Sequence, residues 1–280
     1  MKLIYYIIIA LFITCIYSCN SNSKKIEQIN KSQQIATSQN SSFDTTSKNI
    51  SKKVEFEIIN KYPHDKNAYT QGLIFYNNYL YESTGLYGHS SLRKVNIKDG
   101  KVLKQINLSP IYFGEGITLL SEKIYQLTWE NHKGFIYNLD FEKIGEFSYP
   151  GEGWGITSDG KFLIVSDGSN YLSFYDASSM NIIKTISVED NNTPVFNLNE
   201  LEWVDGLIFA NVYMKDEIIA INPDNGKVVY SFDVSELRSA LDDKTNAEVS
   251  NGIAYNPSTK TFYLTGKNWS NLFEVKLKNR

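Results

Sequence analysis

Five stretches of this chain repeat one hairpin. They read TQGLIFYNNYLYESTG from Thr70, GEGITLLSEKIYQLTW from Gly114, EGWGITSDGKFLIVSDGS from Glu152, NELEWVDGLIFANVY from Asn199 and SNGIAYNPSTKTFYLTGK from Ser250. Each is an apolar strand, a polar turn and a second strand that ends in polar or aromatic residues. Aligned on Gly72, Gly116, Gly155, Leu201 and Gly252, the copies lie 44, 39, 46 and 51 residues apart. A period of about 40–50 residues with several short strands is the mark of propeller blades. Between the hairpins stand SSLRKVNIKDGKVLKQINL, GFIYNLDFEKIGEFSY, YLSFYDASSMNIIKTISV and DEIIAINPDNGKVVYSFDV. Each carries a turn with Asp, Asn or Gly between alternating apolar runs. The sequence therefore predicts an all-β fold: a five-bladed β-propeller over residues 54–280, four strands to a blade.

The ends of the repeat predict how the ring closes. VEFEIIN at Val54 is a strand in excess before the first hairpin, and LFEVKL near the C-terminus is only the third strand of the last blade. The N-terminal strand is expected to complete that blade, which removes two open edges. A single helix is expected at SELRSALDD, with Ser235 as N-cap and Glu236 in its first turn.

The segment ahead of the repeat reads differently. In MKLIYYIIIALFITCIYSC, Lys2 precedes an apolar run from Leu3 to Tyr17 that is short for a membrane span. It ends Ile16-Tyr17-Ser18-Cys19, which resembles a bacterial lipobox. The expected organisation is a lipoprotein signal peptide over 1–18 and a lipidated Cys19 opening a polar, flexible tether over 19–53. The chain would then be anchored to a bacterial cell envelope, facing the periplasm or the exterior. A plain secretory signal or a short anchor is the alternative. Cys15 leaves with the signal, so cysteine chemistry and disulfides are excluded from the mature domain.

Composition narrows the function further. Lys and Arg number 28 against 31 Asp and Glu, so no basic surface recommends nucleic acid. The three histidines, His64, His89 and His132, show no ligand spacing with each other or with cysteine. No catalytic metal or cofactor is expected, although a structural calcium stays open. Fingerprints for a serine nucleophile elbow, a P-loop or a dinucleotide are absent. A monomer is expected.

In a propeller the innermost strand of each blade lines the central channel, so residues at one register converge. Before the register residue stand Gln71, Glu115, Trp154, Glu200 and Asn251; at the end of the second strand stand Glu82, Trp129, Asp167, Tyr213 and Lys267. That ring of acids, amides, aromatics and one lysine is not what hydrophobic packing would select.

These residues also carry a resemblance. HDKNAYTQGL, ESTGLYGHSSLR, FGEGIT, LTW, GEGWGIT, SDGS, LNELEW, ANVY, NGIAY and TGKNW follow one another in an order that resembles the plant and bacterial glutamine cyclotransferases, from about Lys61 to Leu277. The resemblance implies a five-bladed propeller that converts N-terminal glutamine of peptides or proteins to pyroglutamate and releases ammonia. It implies Glu115 in FGEG as the acid/base, with Lys267 in TGK and Asn199 in LNELE beside it. Gln71 in TQG, Phe113, Trp129 and Trp154 fall on substrate-binding positions. Tyr69 stands where phenylalanine is usual and Tyr213 where tryptophan is usual, a change that bears on substrate preference more than on the reaction.

The chemistry suits those residue types. The substrate's α-amine attacks its own side-chain amide, so placement already provides a high effective molarity. The amine, with a pKa of about 7.7–8.0, loses its proton readily. Ammonia must be protonated as it leaves, and one carboxyl can carry the proton from one nitrogen to the other. Glu115 among aromatic groups suits that task, because desolvation raises a carboxyl pKa. Lys267, Gln71 and Asn199 are all candidate donors to the oxyanion.

Each residue also has a plainer reading. Glu115 could pair with Lys267 as a structural bridge. Trp129, Trp154 and Tyr213 could be blade core. Asn199 and Asn251 could be turn formers bonded to their own backbone, a reading favoured for Asn251. Glu200 and Glu202 could be a salt-bridged pair around the channel, with a second acid/base among them. Asp167 reads as a turn residue, and His64 as a brace for the loop before the first hairpin. Two other functions compete: a binding module that captures peptides or glycans without chemistry, and a lactonase-type propeller with a channel metal. The set of Glu115, Asn199 and Lys267 favours chemistry, since a binder has no need of a proton shuttle.

Overall fold

A computed structural model describes residues 51–278, so the expected signal peptide, Cys19 and nearly all of the tether lie outside the described residues. The described chain opens with β1 (Lys52–Lys53) and β2 (Phe56–Pro63). Blade 1 holds β3 (Thr70–Tyr76), β4 (Tyr79–Thr84), β5 (Ser91–Asn96) and β6 (Val102–Asn107). Blade 2 holds β7 (Gly114–Leu120), β8 (Lys123–Thr128), β9 (Lys133–Asn138) and β10 (Lys143–Ser148). Blade 3 holds β11 (Ile156–Ser158), β12 (Phe162–Ser166), β13 (Tyr171–Asp176) and β14 (Ile182–Ser187). A ribbon of β15 (Glu189–Asp190) and β16 (Thr193–Pro194) leads to blade 4, with β17 (Leu198–Val204), β18 (Leu207–Val212), β19 (Glu217–Ile221) and β20 (Val228–Asp233). Helix α1 (Ser235–Ser239) precedes β21 (Ser250–Asn256), β22 (Thr261–Gly266) and β23 (Asn271–Leu277) of blade 5.

The ring closes as the sequence predicts. Blade 5 has the order β2-β23-β22-β21, with Phe56 opposite Leu277 and Pro63 opposite Asn271. Pairing begins slightly earlier than the expected boundary at Val54, because β1 runs parallel to β20 and adds a fifth strand to blade 4. The helix is shorter than expected. Val234, not Ser235, is its N-cap, and α1 ends at Ser239. Asp233, at the end of β20, already accepts the Ser235 N–H at 2.8 Å.

Local chemistry explains the blades. The first hairpins of blades 1, 2 and 4 turn on Asn77-Asn78, Ser121-Glu122 and Asp205-Gly206, all with positive φ. Two such residues in succession give the turn whose twist matches paired strands. The outer strand β6 exposes most of its side chains, whereas β21 and β22 are buried throughout. Apolar residues of adjacent blades form five clusters, one at each blade–blade interface.

The inner strands meet so closely that three register glycines have no room for a side chain. A Cβ on Gly72 would lie 2.4 Å from the Ile117 nitrogen, one on Gly116 2.8 Å from the Gly155 Cα, and one on Gly155 2.0 Å from the Asn199 carbonyl oxygen. On the remaining side Glu200 makes the connection. Its carboxyl accepts the backbone N–H groups of Leu73 and Ile253 at 3.1 and 2.8 Å, and Glu202 accepts that of Tyr255 at 2.9 Å. The expected salt-bridged pair is thus a pair of backbone staples. Burial, with Glu202 adding to it, raises the Glu200 pKa well above its usual value, and burial pushes Glu202 up to about 8.

Gly155→Ala is expected to lower the midpoint of thermal unfolding, at a cost of about 1–3 kcal/mol for overpacking. Gly145→Ala, whose Cβ would make ordinary contacts with Ile136, should stay within about 0.5 kcal/mol of the parent. Melting curves of the two variants compare them directly; equal midpoints would mean the axis tolerates a methyl group.

Candidate active site

The polar residues at one end of the channel owe their direction to bulges. Pairing between the first and second strands slips between Thr70 and Gly72, Gly114 and Ile117, Leu198 and Leu201, and Ser250 and Ile253. The slipped segments contain Gln71, Glu115, Asn199 with Glu200, and Asn251. A bulge re-aims a side chain that a regular pleat would have sent into the sheet. Blade 3 reaches the same place through Trp154, whose carbonyl accepts the Gly116 N–H at 2.8 Å.

The other wall comes from the residue just past each second strand. Trp129, Tyr213 and Lys267 donate backbone N–H groups to the carbonyls of Phe113, Asn197 and Val249 at 3.0, 2.8 and 3.0 Å. The equivalent residue of blade 1 is Gly85, which donates to the Tyr69 carbonyl at 2.8 Å. Glu82 was expected there. It lies instead within β4, opposite Leu73, and is buried. Gly85 leaves space for an aromatic ring: a Cβ on it would stand 2.3 Å from Phe113.

Glu82 serves the loop that carries Tyr69. It accepts hydrogen bonds from His64 Nε2 at 2.9 Å and Thr70 Oγ1 at 2.7 Å, while His64 Nδ1 reaches the Trp269 carbonyl at 2.8 Å. Burial opposes a charge on His64, yet the Glu82 carboxylate outweighs it and holds the ring above its usual pKa. His64 is therefore the expected brace. Asp167 is a turn residue, accepting the Ser169 N–H at 3.0 Å.

All nine expected pocket residues line one cavity of about 230 Å³. Gln71, Glu115 and Asn199 carry its polar chemistry. Five aromatic rings form a belt: Tyr69 meets Phe113 edge-on at 6.2 Å, Phe113 meets Trp129 at 5.7 Å, and Trp154 meets Tyr213 at 5.6 Å. Two charged residues span the gaps. Lys267 Nζ lies 4.7 Å from the Tyr69 ring centre and 4.9 Å from that of Tyr213, a distance at which a ring face attracts a cation. Opposite it, Glu152 Oε2 accepts the indole N–H groups of Trp129 and Trp154 at 2.7 and 2.8 Å.

Glu115 is 5% exposed and accepts the Gln71 side-chain N–H at 2.9 Å. Asn251 orients Gln71 by donating to its Oε1 at 3.0 Å and to the Thr70 carbonyl. It bridges blades 5 and 1 rather than forming a turn on its own backbone. Burial drives the Glu115 carboxyl well above its usual pKa; Lys267 opposes that and Glu152 reinforces it. Burial likewise lowers Lys267, against the pull of Glu115 and Glu248. Glu115 and Lys267 feel each other's charge, yet they are not among the ion pairs of the described residues. Asn199 belongs to the cavity wall, and its Oδ1 is buried with no hydrogen-bond partner. Among the described residues no three His, Cys, Asp or Glu side chains are grouped as a metal would require.

The sequence reading had assigned no role to Glu152, nor to Glu248, which accepts the Tyr69 hydroxyl at 3.1 Å. The signal for Glu152 was present: an acid between two glycines, two residues before a pocket tryptophan.

The family model for glutamine cyclotransferase matches residues 30–277. The chain belongs to the glutamine cyclotransferase family. It is an enzyme and a transferase by that membership. A glutaminyl-peptide cyclotransferase of Arabidopsis thaliana is 39% identical over 229 residues, spanning 80% of this chain and 72% of the relative. The crystal structure of Myxococcus xanthus glutaminyl cyclase superposes with a TM-score of 0.77 at 32% identity, covering 81% of this chain and 98% of that one. The five-bladed arrangement and the family implied by the sequence motifs are thus both shown.

The electrostatics of the site are open to titration. With glutamate carboxyls labelled by ¹³C, NMR should find Glu115 titrating above the ordinary value of about 4.3. Lys267→Met should move that titration higher still, because it removes the charge that lowers it. An unmoved titration would place Lys267 outside electrostatic reach of Glu115.

Proposed function

We propose that this cyclotransferase acts on N-terminal glutamine of peptides and proteins, closing it to pyroglutamate with release of ammonia, and that Glu115 is the proton shuttle. One observation carries the reading: a buried carboxyl, held by its surroundings toward its protonated form, stands in a cavity whose belt is aromatic. The cavity is small enough to select one side chain. Gln71 occupies one Glu115 oxygen, which leaves the other for the substrate. Asn199 Oδ1 is a fitting acceptor for the α-amino group, and the Lys267 ammonium a fitting partner for the oxyanion.

The atoms balance without a covalent intermediate or a metal. The α-nitrogen bonds to the side-chain Cδ, and the carbonyl oxygen takes the negative charge. Glu115 moves a proton from the attacking nitrogen to the departing one, the old C–N bond breaks, and ammonia leaves. The aromatic belt packs the side-chain methylenes and excludes water. A lactonase-type metal mechanism finds no support in the site's donors.

The reading extends to location. We propose that the chain acts as a monomer in a bacterial envelope, tethered through lipid on Cys19, where capping neighbouring N-termini would shield them from aminopeptidases. A palmitate analogue supplied to cells should label the full chain, and Cys19→Ala should abolish the label; equal labelling would discard the anchor.

Mass spectrometry of a Gln-initiated peptide tests the reaction. The parent domain should produce the loss of one ammonia above the spontaneous rate, with or without chelator. Glu115→Gln should slow it about 10²–10⁴-fold. The profile of kcat/KM should rise with pH as Glu115 ionises and the α-amine loses its proton, then level off above the amine pKa of about 7.7–8.0, because the neutral amine still carries the N–H that Glu115 moves. No rate above baseline from the parent would overturn N-terminal glutamine as its substrate.

A further inference from the structure

The aromatic belt has a gap between Trp129 and Trp154, and one carboxylate oxygen spans it. Each indole has a single donor, and both donate to Glu152 Oε2, at 2.7 and 2.8 Å. A carboxylate has lone pairs for both, and hydrogen bonds to an ionised acceptor are the strong ones. The loop beneath Glu152 is also fixed. Gly153 donates its N–H to the Trp129 carbonyl at 3.1 Å. Gly153 also lies against Tyr149, where a Cβ would come within 2.5 Å of the hydroxyl, and that hydroxyl donates to the Thr128 carbonyl. Glu152 is thereby held on blade 2 while it grips the leading tryptophan of blade 3.

We propose that Glu152 is the positioning residue of this pocket: its carboxylate locks the two indoles into the wall that receives the glutamine side chain. The proposal rests on the cyclase reading for its substrate but not for the clamp itself. Gln71 is hydrogen-bonded to Glu115; Lys267, Glu152 and the phenols of Tyr69, Tyr87 and Tyr149 interact with it electrostatically. Burial is the first cause that keeps the proton on Glu115, Lys267 works against it, and the Glu152 charge works with it. The residue opposite Lys267 in the belt thus has the opposite electrostatic effect on the shuttle.

Two substitutions separate the roles. Glu152→Gln keeps an oxygen that can accept the indole N–H groups and removes the charge. Glu152→Leu removes both. Acrylamide quenching of tryptophan fluorescence reads the clamp in the free protein, and kcat/KM against pH reads the charge. Glu152→Leu should raise the quenching constant and raise KM roughly tenfold, the scale of one lost charge-assisted hydrogen bond. Glu152→Gln should leave quenching near the parent's while the acid limb of the profile moves to lower pH, since Glu115 ionises more easily without the neighbouring negative charge. The proposal is overturned if Glu152→Leu leaves both quenching and KM at the parent values. It is equally overturned if Glu152→Gln is quenched like Glu152→Leu with an unmoved acid limb. An inactive parent would remove the cyclase reading, and the quenching comparison would then decide the clamp on its own.

Discussion

The closeness of the inner strands at the propeller axis is the constraint on which the rest depends. Gly72, Gly116 and Gly155 let the backbones of blades 1 to 4 approach to distances that a single Cβ would forbid. Where blade 4 presents Leu201 at the same register, Glu200 reaches across and binds the backbones of blades 1 and 5. A narrow axis brings the residues beside those glycines into one small volume. Gln71, Glu115 and Trp154 each immediately precede a register glycine, so the packing that closes the ring also assembles the site.

Burial then does the electrostatic work. A carboxyl removed from water resists ionisation, and an amine removed from water resists protonation. Glu115 and Lys267 are displaced toward each other's pKa by one environment, with their mutual attraction partly offsetting it. The belt supplies that environment while giving each charged member a partner suited to it. Lys267 meets ring faces, and the indole N–H groups meet Glu152. A hydrophobic wall with no such ends would leave two half-buried indole donors without a protein partner.

Much of this was legible in the chain. The blade repeat and the closing strand came from local patterns that recur at fixed spacing, whereas the family and the nine pocket residues came from motifs that resemble those of the glutamine cyclotransferases. The failures within the blades share one cause: they sit where a bulge or a contact between blades breaks the register. Counting back along β4 placed Glu82 at the mouth, but the mouth position belongs to Gly85, which leaves room for Phe113. Asn251 looked like a turn former and instead joins blades 5 and 1. Glu200 and Glu202 looked like partners for a cation and instead accept backbone N–H groups. Ser235 looked like a helix cap, but Asp233 at the end of β20 reaches its N–H first.

The sequence by itself determined the five-bladed all-β ring, its closure and the residue types gathered at its mouth. Period, turn chemistry and strand alternation are local properties, written within a few residues of where they act. Only the tertiary structure decided which charges meet which partners: that Glu152 grips two indoles from adjacent blades, that Glu115 faces Lys267 without pairing, and that Asn199 keeps an acceptor unfilled. Those facts depend on burial and, for all but the Glu152–Trp154 bond, on distances between residues far apart in the chain. No spacing along the chain encodes them until the blades have packed.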